Sequence, residues 1–229
     1  KGGGGGGAGG AAQTLASLVD QDAATGTDRT LDNAWRGAEA YHFLMLAQRQ
    51  LHAGAHFASM RTAIRLREYE GILAADEVNA LIALAAFYAK HYGQASKAFV
   101  KLLSLRMPDA KKAELDKLVL SVFTRFEPAD PASGERIGCP SCGAPLRAWD
   151  TRCDDCGATC GACIASGLPL HEPGTATACK VCKHRSIDAE TKGARTCSLC
   201  HASLHKLQNA ANAALAASSL SSMATAFTT

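Results

Sequence analysis

All ten cysteines of this 229-residue chain fall in C-x-x-C pairs: Cys139/Cys142, Cys153/Cys156, Cys160/Cys163, Cys179/Cys182 and Cys197/Cys200. Two thiolates three positions apart, across a tight turn, can reach one tetrahedral Zn²⁺. Residues 139–200 hold few large apolar side chains, too few to build an adequate core alone, so such a module gains its stability from metal. Disulfides are the alternative use of dense cysteine. Clustered C-x-x-C without a signal peptide favours a reducing compartment and metal, and a disulfide-rich secreted module fits poorly with a long helical stretch that contains no cysteine.

The first two pairs read CPSCGAPLRAWDTRCDDCGA, with ten residues between Cys142 and Cys153. That length suits a β-hairpin that returns the second knuckle to the first. Gly143 and Gly157 allow the positive φ such turns need and let backbone N–H groups approach the sulfurs. Leu146 and Trp149 are placed to cover the site. The pattern is a zinc ribbon with Cys139, Cys142, Cys153 and Cys156 as ligands. The last two pairs read CKVCKHRSIDAETKGARTCSLC, with fourteen residues between Cys182 and Cys197. They predict a second ribbon-like unit held by Cys179, Cys182, Cys197 and Cys200. Four protein ligands leave no position open for water or substrate, so both zincs are structural.

Cys160 and Cys163 remain as less certain ligands, and three sites stay open beside two. A third would need further ligands, with His171, His184 and His201 as candidates, although a lone His beside a knuckle more often packs or supports. A cross-braced arrangement is also open, in which Cys160/Cys163 partners a later pair.

Upstream, apolar residues recur at helical spacing. A helix from about Asn33 to His52 carries the stripe Ala40, Phe43, Leu44, Ala47 and Leu51, with Trp35, Ala38 and Met45 on a second face, which predicts packing on two sides. Gly54 breaks it. A second helix, about Ala55 to Glu68, presents Phe57, Met60 and Ile64. A third, about Ala75 to His91, presents Val78, Leu81, Ile82, Ala85, Tyr88 and Ala89. Gly93 breaks that one, and a fourth runs from about Gln94 to Leu105. A fifth starts at Pro108 and Asp109, carries the stripe Leu115, Leu118, Val119, Val122, Phe123 and Phe126, and ends at Pro128 and Pro131. Two helix pairs of tetratricopeptide size plus a capping helix fit this rhythm, and a plain five-helix bundle is the alternative.

The expected fold is an α-helical tetratricopeptide-like solenoid or bundle followed by a small zinc-ribbon-type, β-rich module. Residues 1–30 read as a flexible linker or expression remnant with a short helix at Thr14–Gln21, and the glycine run after Lys1 suggests a stretch of a longer protein. The helical domain is expected over 31–127, a Pro/Gly-rich linker over 128–138 and the zinc module over 139–205. An Ala-rich tail, partly helical or disordered, is expected over 206–229. This two-part organisation implies that a chelator unfolds 139–200 and leaves the helices intact.

The formal charge of +3 counts every cysteine as neutral. Each Zn(Cys)₄ centre carries about −2, and two of them cancel that excess. No basic, aromatic-laced nucleic-acid footprint is then evident. No Ser/His/Asp set, P-loop or apolar run of the roughly 18 residues needed for a membrane span appears, so the chain is expected to be no enzyme, to bind no nucleic acid and to insert in no membrane. His42, His52, His56 and His91 read as packing or solvated helix residues, Arg61–Arg67 as a solvated face, and Asp154 and Asp155 as solvent-facing or supporting groups. A RING-like ubiquitin ligase module or a nucleic-acid-binding zinc ribbon are the alternatives to a zinc-stapled scaffold. The central Cys-x-His-x-x-Cys step of a RING is absent.

The stretch DNAWRGAEAYHFLMLAQRQL, Asp32 to Leu51, resembles the intraflagellar transport protein 121 family. The likeness continues through KAFVKL (Lys97–Leu102), CIASGLPL (Cys163–Leu170), CKVCKH (Cys179–His184) and CSLCH (Cys197–His201). Cys160, the glycine-rich start and the alanine-rich tail have no counterpart in it. The resemblance implies a WD-repeat and helical-solenoid subunit of intraflagellar transport complex A, whose propellers lie outside this chain. It also implies a non-enzymatic role in cilia and flagella: retrograde transport and entry of membrane-protein cargo. The expected neighbours are subunits 122, 139 and 43 of complex A, and the expected location is the cilium or flagellum and its base, with a cytoplasmic pool.

Overall fold

The computed structural model describes residues 34–131, 136–171 and 174–204. The helix predicted at Thr14–Gln21 and the tail 206–229 lie outside them. Five α-helices come first: α1 (Ala34–His52), α2 (His56–Arg65), α3 (Ala75–Tyr88), α4 (Tyr92–Ser104) and α5 (Asp109–Phe123). A 3₁₀ turn, Leu66–Tyr69, extends α2. Helices adjacent in sequence pack side by side from α1 to α4, as short connections dictate. Gly54 ends α1 at φ +77°, a conformation only glycine adopts cheaply. No described helix is long and apolar enough to cross a membrane.

The stripes of the first four helices form most of the core, while Tyr88 on α3 and Leu118 on α5 are exposed and no residue of α5 is fully buried. Phe43, Met60, Leu66, Val78 and Ile82 are fully buried. Three further expectations change. Gly93 is not a break but lies in the first turn of α4. A Cβ there would sit 2.9 Å from the Asp130 carboxylate, which accepts from the Gln94 backbone N–H (3.1 Å) and Gln94 Nε2 (2.7 Å). The Gly93 N–H donates to Ala129 O at 3.2 Å. The segment after α5 thus folds back to satisfy N–H groups that a helix start leaves orphaned. Arg65, in the presumed solvated run, is buried, with Nη1 3.8 Å from Glu68. And the second packed face of α1 is not the one marked by Met45 and Ala38, both exposed. It consists of Trp35, Glu39, His42 and Gln50, which meet the cysteine module.

That module contains two small antiparallel hairpins, β1 (Arg136–Gly138) with β2 (Pro145–Arg147), and β3 (Ala176–Ala178) with β4 (Arg185–Ile187). It does not stand apart. Ala148, Trp149 and Ile164 belong to the same continuous core as the helices. Trp149 packs edge-on to Phe57 and His91, so it faces α2 and the start of α4 and does not cover the metal-ligand cluster.

Candidate metal centres

Four C-x-x-C turns of the cysteine module share one backbone pattern. The first cysteine donates its N–H to the carbonyl five residues on, and the residue at the fifth position of the turn donates back to that cysteine's carbonyl. The pairs are Cys139 N→Ala144 O (2.8 Å) with Gly143 N→Cys139 O (2.9 Å), and Cys153 N→Ala158 O (2.8 Å) with Gly157 N→Cys153 O (2.9 Å). Cys179, with His184 and Lys183, and Cys197, with Ala202 and His201, repeat it. The fifth residue always takes positive φ: 76° at Gly143, 71° at Gly157, 62° at Lys183 and 58° at His201. This winding points two cysteine sulfurs to the same side of each turn.

The turns face one another in sequential pairs. The sulfurs of Cys139, Cys142, Cys153 and Cys156 lie within 4.8 Å of one another, as do those of Cys179, Cys182, Cys197 and Cys200. Cross-pair distances are 3.6 Å for Cys139–Cys156 and 3.7 Å for Cys142–Cys153. They are 3.6 Å for Cys179–Cys200 and 3.7 Å for Cys182–Cys197. A tetrahedron with Zn–S of about 2.3 Å has S···S edges of about 3.8 Å, whereas a disulfide needs about 2.05 Å. All ten cysteines are free. Each hairpin wraps its own first knuckle, and the second knuckle is closed by a lone bridge, Arg152↔Thr159 or Thr196↔Ser203. The expected hairpin across residues 143–152 is therefore replaced by one around Cys139–Cys142, and the cross-braced alternative is not what the structure shows.

The electrostatics fit a dication. Backbone N–H groups of Cys142 and Ser141 aim at Cys139 and lower its thiol to about 6. Burial raises Cys179, but the N–H groups of Cys182 and Val181 outweigh it and bring the thiol down to about 7. Their neighbours go the other way. The Ala144 N–H favours the Cys142 thiolate, yet Cys156 and burial push it up to about 12. Burial likewise raises Cys182. One thiolate forms readily in each cluster and the next is resisted, the behaviour of crowded acids that lack a positive centre. The two tetrads fit two zinc ions. Bound zinc would supply a closed four-sulfur node with no coordination position left for chemistry.

Cys160 and Cys163 do not act as a pair. Cys160 packs with Cys139, Leu146 and Cys153 on the first ribbon. Cys163, fully buried, accepts from the Ile187 N–H on β4 at 3.3 Å. Cys163 instead begins a third knuckle of its own: Cys163 N→Leu168 O is 2.7 Å, Gly167 N→Cys163 O is 2.8 Å, and the bridge Ala162↔Pro169 closes it. Ser166 stands where the second sulfur would be. The sequence signal was available: CIASG repeats the glycine spacing of CPSCG and CDDCG. Of the three histidines weighed as further ligands, none joins a cysteine cluster among the described residues.

The sulfur-poor third knuckle is spent on the helices. Its carbonyls Ile164 O and Ser166 O accept from His42 Nε2 (2.6 Å) and Gln50 Nε2 (2.9 Å) on α1. Burial pushes the His42 imidazole below its ordinary value. Nearby, His184 donates Nδ1 to Cys182 O at 2.8 Å while Nε2 lies 3.4 Å from the buried Glu39 carboxylate. These α1 residues were missed in the sequence because a polar stripe at helical spacing reads as a solvated face.

A direct test is zinc content. Cys153→Ser is expected to lower bound zinc from two per chain to about one, whereas Cys163→Ser leaves two, since a closed site needs all four ligands. Elemental analysis of the purified variants checks this, and a loss of zinc on Cys163→Ser would contradict the third-knuckle assignment.

Comparison with known proteins agrees with both halves. A family model described as "IFT121-like, TPR repeats" matches residues 32–130, and one described as "IFT121, second zinc finger domain" matches 161–205. The second match joins the Cys163 knuckle to the Cys179–Cys200 tetrad, the pairing seen in the Ile187–Cys163 contact. The chain is 38% identical over 195 residues to WD repeat-containing protein 35 of Rattus norvegicus, covering 85% of this chain and 16% of that protein. It is 36% identical over 193 residues to the Homo sapiens protein of that name, covering 84% and 15%. It therefore spans less than a fifth of the length of these relatives. The paired helices and the second cysteine tetrad are thus each matched by a model of the IFT121 family, over residues 32–130 and 161–205.

Proposed function

We propose that this chain is a non-enzymatic assembly segment of intraflagellar transport complex A, in which zinc held by the eight tetrad cysteines builds a rigid end on a tetratricopeptide array. It works in the cilium or flagellum and at its base, with a cytoplasmic pool, in retrograde transport and the entry of membrane-protein cargo. The observation that carries this reading is how the surfaces are used. Both tetrads consist wholly of protein sulfur, and the inner face of the module is consumed by α1 and α2. The outward helix faces instead expose Tyr41 and Met45 on α1 and Leu84 and Tyr88 on α3. Exposed apolar side chains at helical spacing suit contacts with other subunits.

Subunits 122, 139 and 43 are the partners to try. The zinc-loaded chain is expected to co-elute with at least one of them in size-exclusion chromatography. Independent elution from all three would refute the assembly role.

A further inference from the structure

Helix α5 is attached differently from the others. None of its side chains is fully buried. It is latched at its C-terminal end, where Phe123 meets Phe99 edge-on and Phe126, just beyond, stacks on Tyr92 and meets Phe87. Toward its N-terminal end, α5 stands off from α3 and leaves a groove of about 370 Å³. Ala80, Leu102, Leu115 and Leu118 form its apolar floor. Asp76, Glu77 and Glu114 line it against one cation, Lys111, and none of these four forms an ion pair with another described residue. Leu118 is 52% exposed.

We propose that this groove docks an amphipathic helix of a partner subunit that carries lysine or arginine beside its apolar stripe. Clefts between helices take a helix through anchors at i, i+3, i+4 and i+7. The groove has the size of a side-chain pocket, and its excess of carboxylates selects a basic flank and rejects an acidic one. The inference rests on the assembly reading and names the chemistry of one partner.

The probe is a labelled peptide of about four helical turns with leucines at that spacing and lysines on one flank, beside a twin with glutamates instead. Fluorescence anisotropy against the full zinc-loaded chain should show the lysine peptide binding about tenfold tighter, with affinity falling as salt rises. Leu118→Asp and Glu114→Lys should each weaken it severalfold with unchanged circular dichroism, because both side chains are exposed. Equal binding of the two peptides, or variants that bind like the parent, would overturn the proposal. So would concentration-dependent dimers abolished by Leu118→Asp, which make a second copy the occupant. Binding that appears only after removal of 205–229 would overturn it too, by making that segment the occupant. Failure of the peptide with retained co-elution of subunits sinks the groove and spares the assembly role; peptide binding without co-elution does the reverse.

Discussion

Chelation is expected to release zinc in two steps and to weaken the helices without unfolding them. The first step belongs to Cys139–Cys156, where Cys142 and Cys156 are exposed, and the second to Cys179–Cys200, where three of the four sulfurs are buried. A structural zinc site is worth about 10–16 kcal/mol in small modules. The hairpins, three residues to a strand, have no comparable source of stability, and they are expected to unfold with metal loss. The helices keep a core of their own in Phe43, Met60, Val78 and Ile82. They lose Trp149 and Ile164, each worth about 1.5–3 kcal/mol when fully buried. At roughly 4–8 °C per kcal/mol for a domain of this size, the helical melt should fall by on the order of 10 °C or more. A zinc-indicator time course and far-UV circular dichroism melts read the two effects. An unchanged helical melt after full zinc removal would show that the continuous core is not energetically shared, and one-step release would show that exposure does not set the order.

The cysteine spacing carried most of the metal chemistry, because ligand identity and a tight turn are local properties. The helix stripes were equally readable, since Ala40, Phe43, Leu44 and Ala47, all buried, keep a period that only a helix satisfies. What escaped was non-local. The role of Asp130 as a cap for α4 depends on a chain reversal 36 residues away from Gln94. The stripe Glu39, His42, Gln50 is polar, and polarity reads as solvent until a carbonyl-rich knuckle is known to face it. Trp149 fits a zinc cover by sequence distance, yet a ring that large is better accommodated against Phe57 and His91 than over a small hairpin. Cys160 and Cys163 misled because three-residue spacing was weighed above the glycine at the fifth position of the turn. Backbone winding, more than cysteine count, defines the knuckle.

That winding makes Gly167→Ala the substitution with the largest expected effect outside the ligands. Gly167 lies at φ +72°, and an added Cβ would meet Thr62 Oγ1, Cβ and Cγ2. An alanine in the left-handed region costs about 1–2 kcal/mol. The collision adds about 1–3 kcal/mol, because Thr62 has little room to yield: it is fully buried and its hydroxyl donates to Ala58 O at 2.9 Å. Chemical denaturation of the zinc-loaded chain should therefore show a loss of about 2–5 kcal/mol, with zinc still at two per chain because no ligand is touched. Two variants separate the causes. Gly193 has φ +84° and open space where a Cβ would stand, with no atom within 4 Å, so Gly193→Ala should cost only the backbone share, about 1–2 kcal/mol. The double variant Thr62→Ala/Gly167→Ala should recover the collision share as a coupling of about 1–3 kcal/mol. Additive single and double variants would mean that the third knuckle does not press on α2. The recovered coupling, in contrast, would show that a knuckle with one sulfur is held in shape by the helix it touches, taking over the work that metal does in its four neighbours.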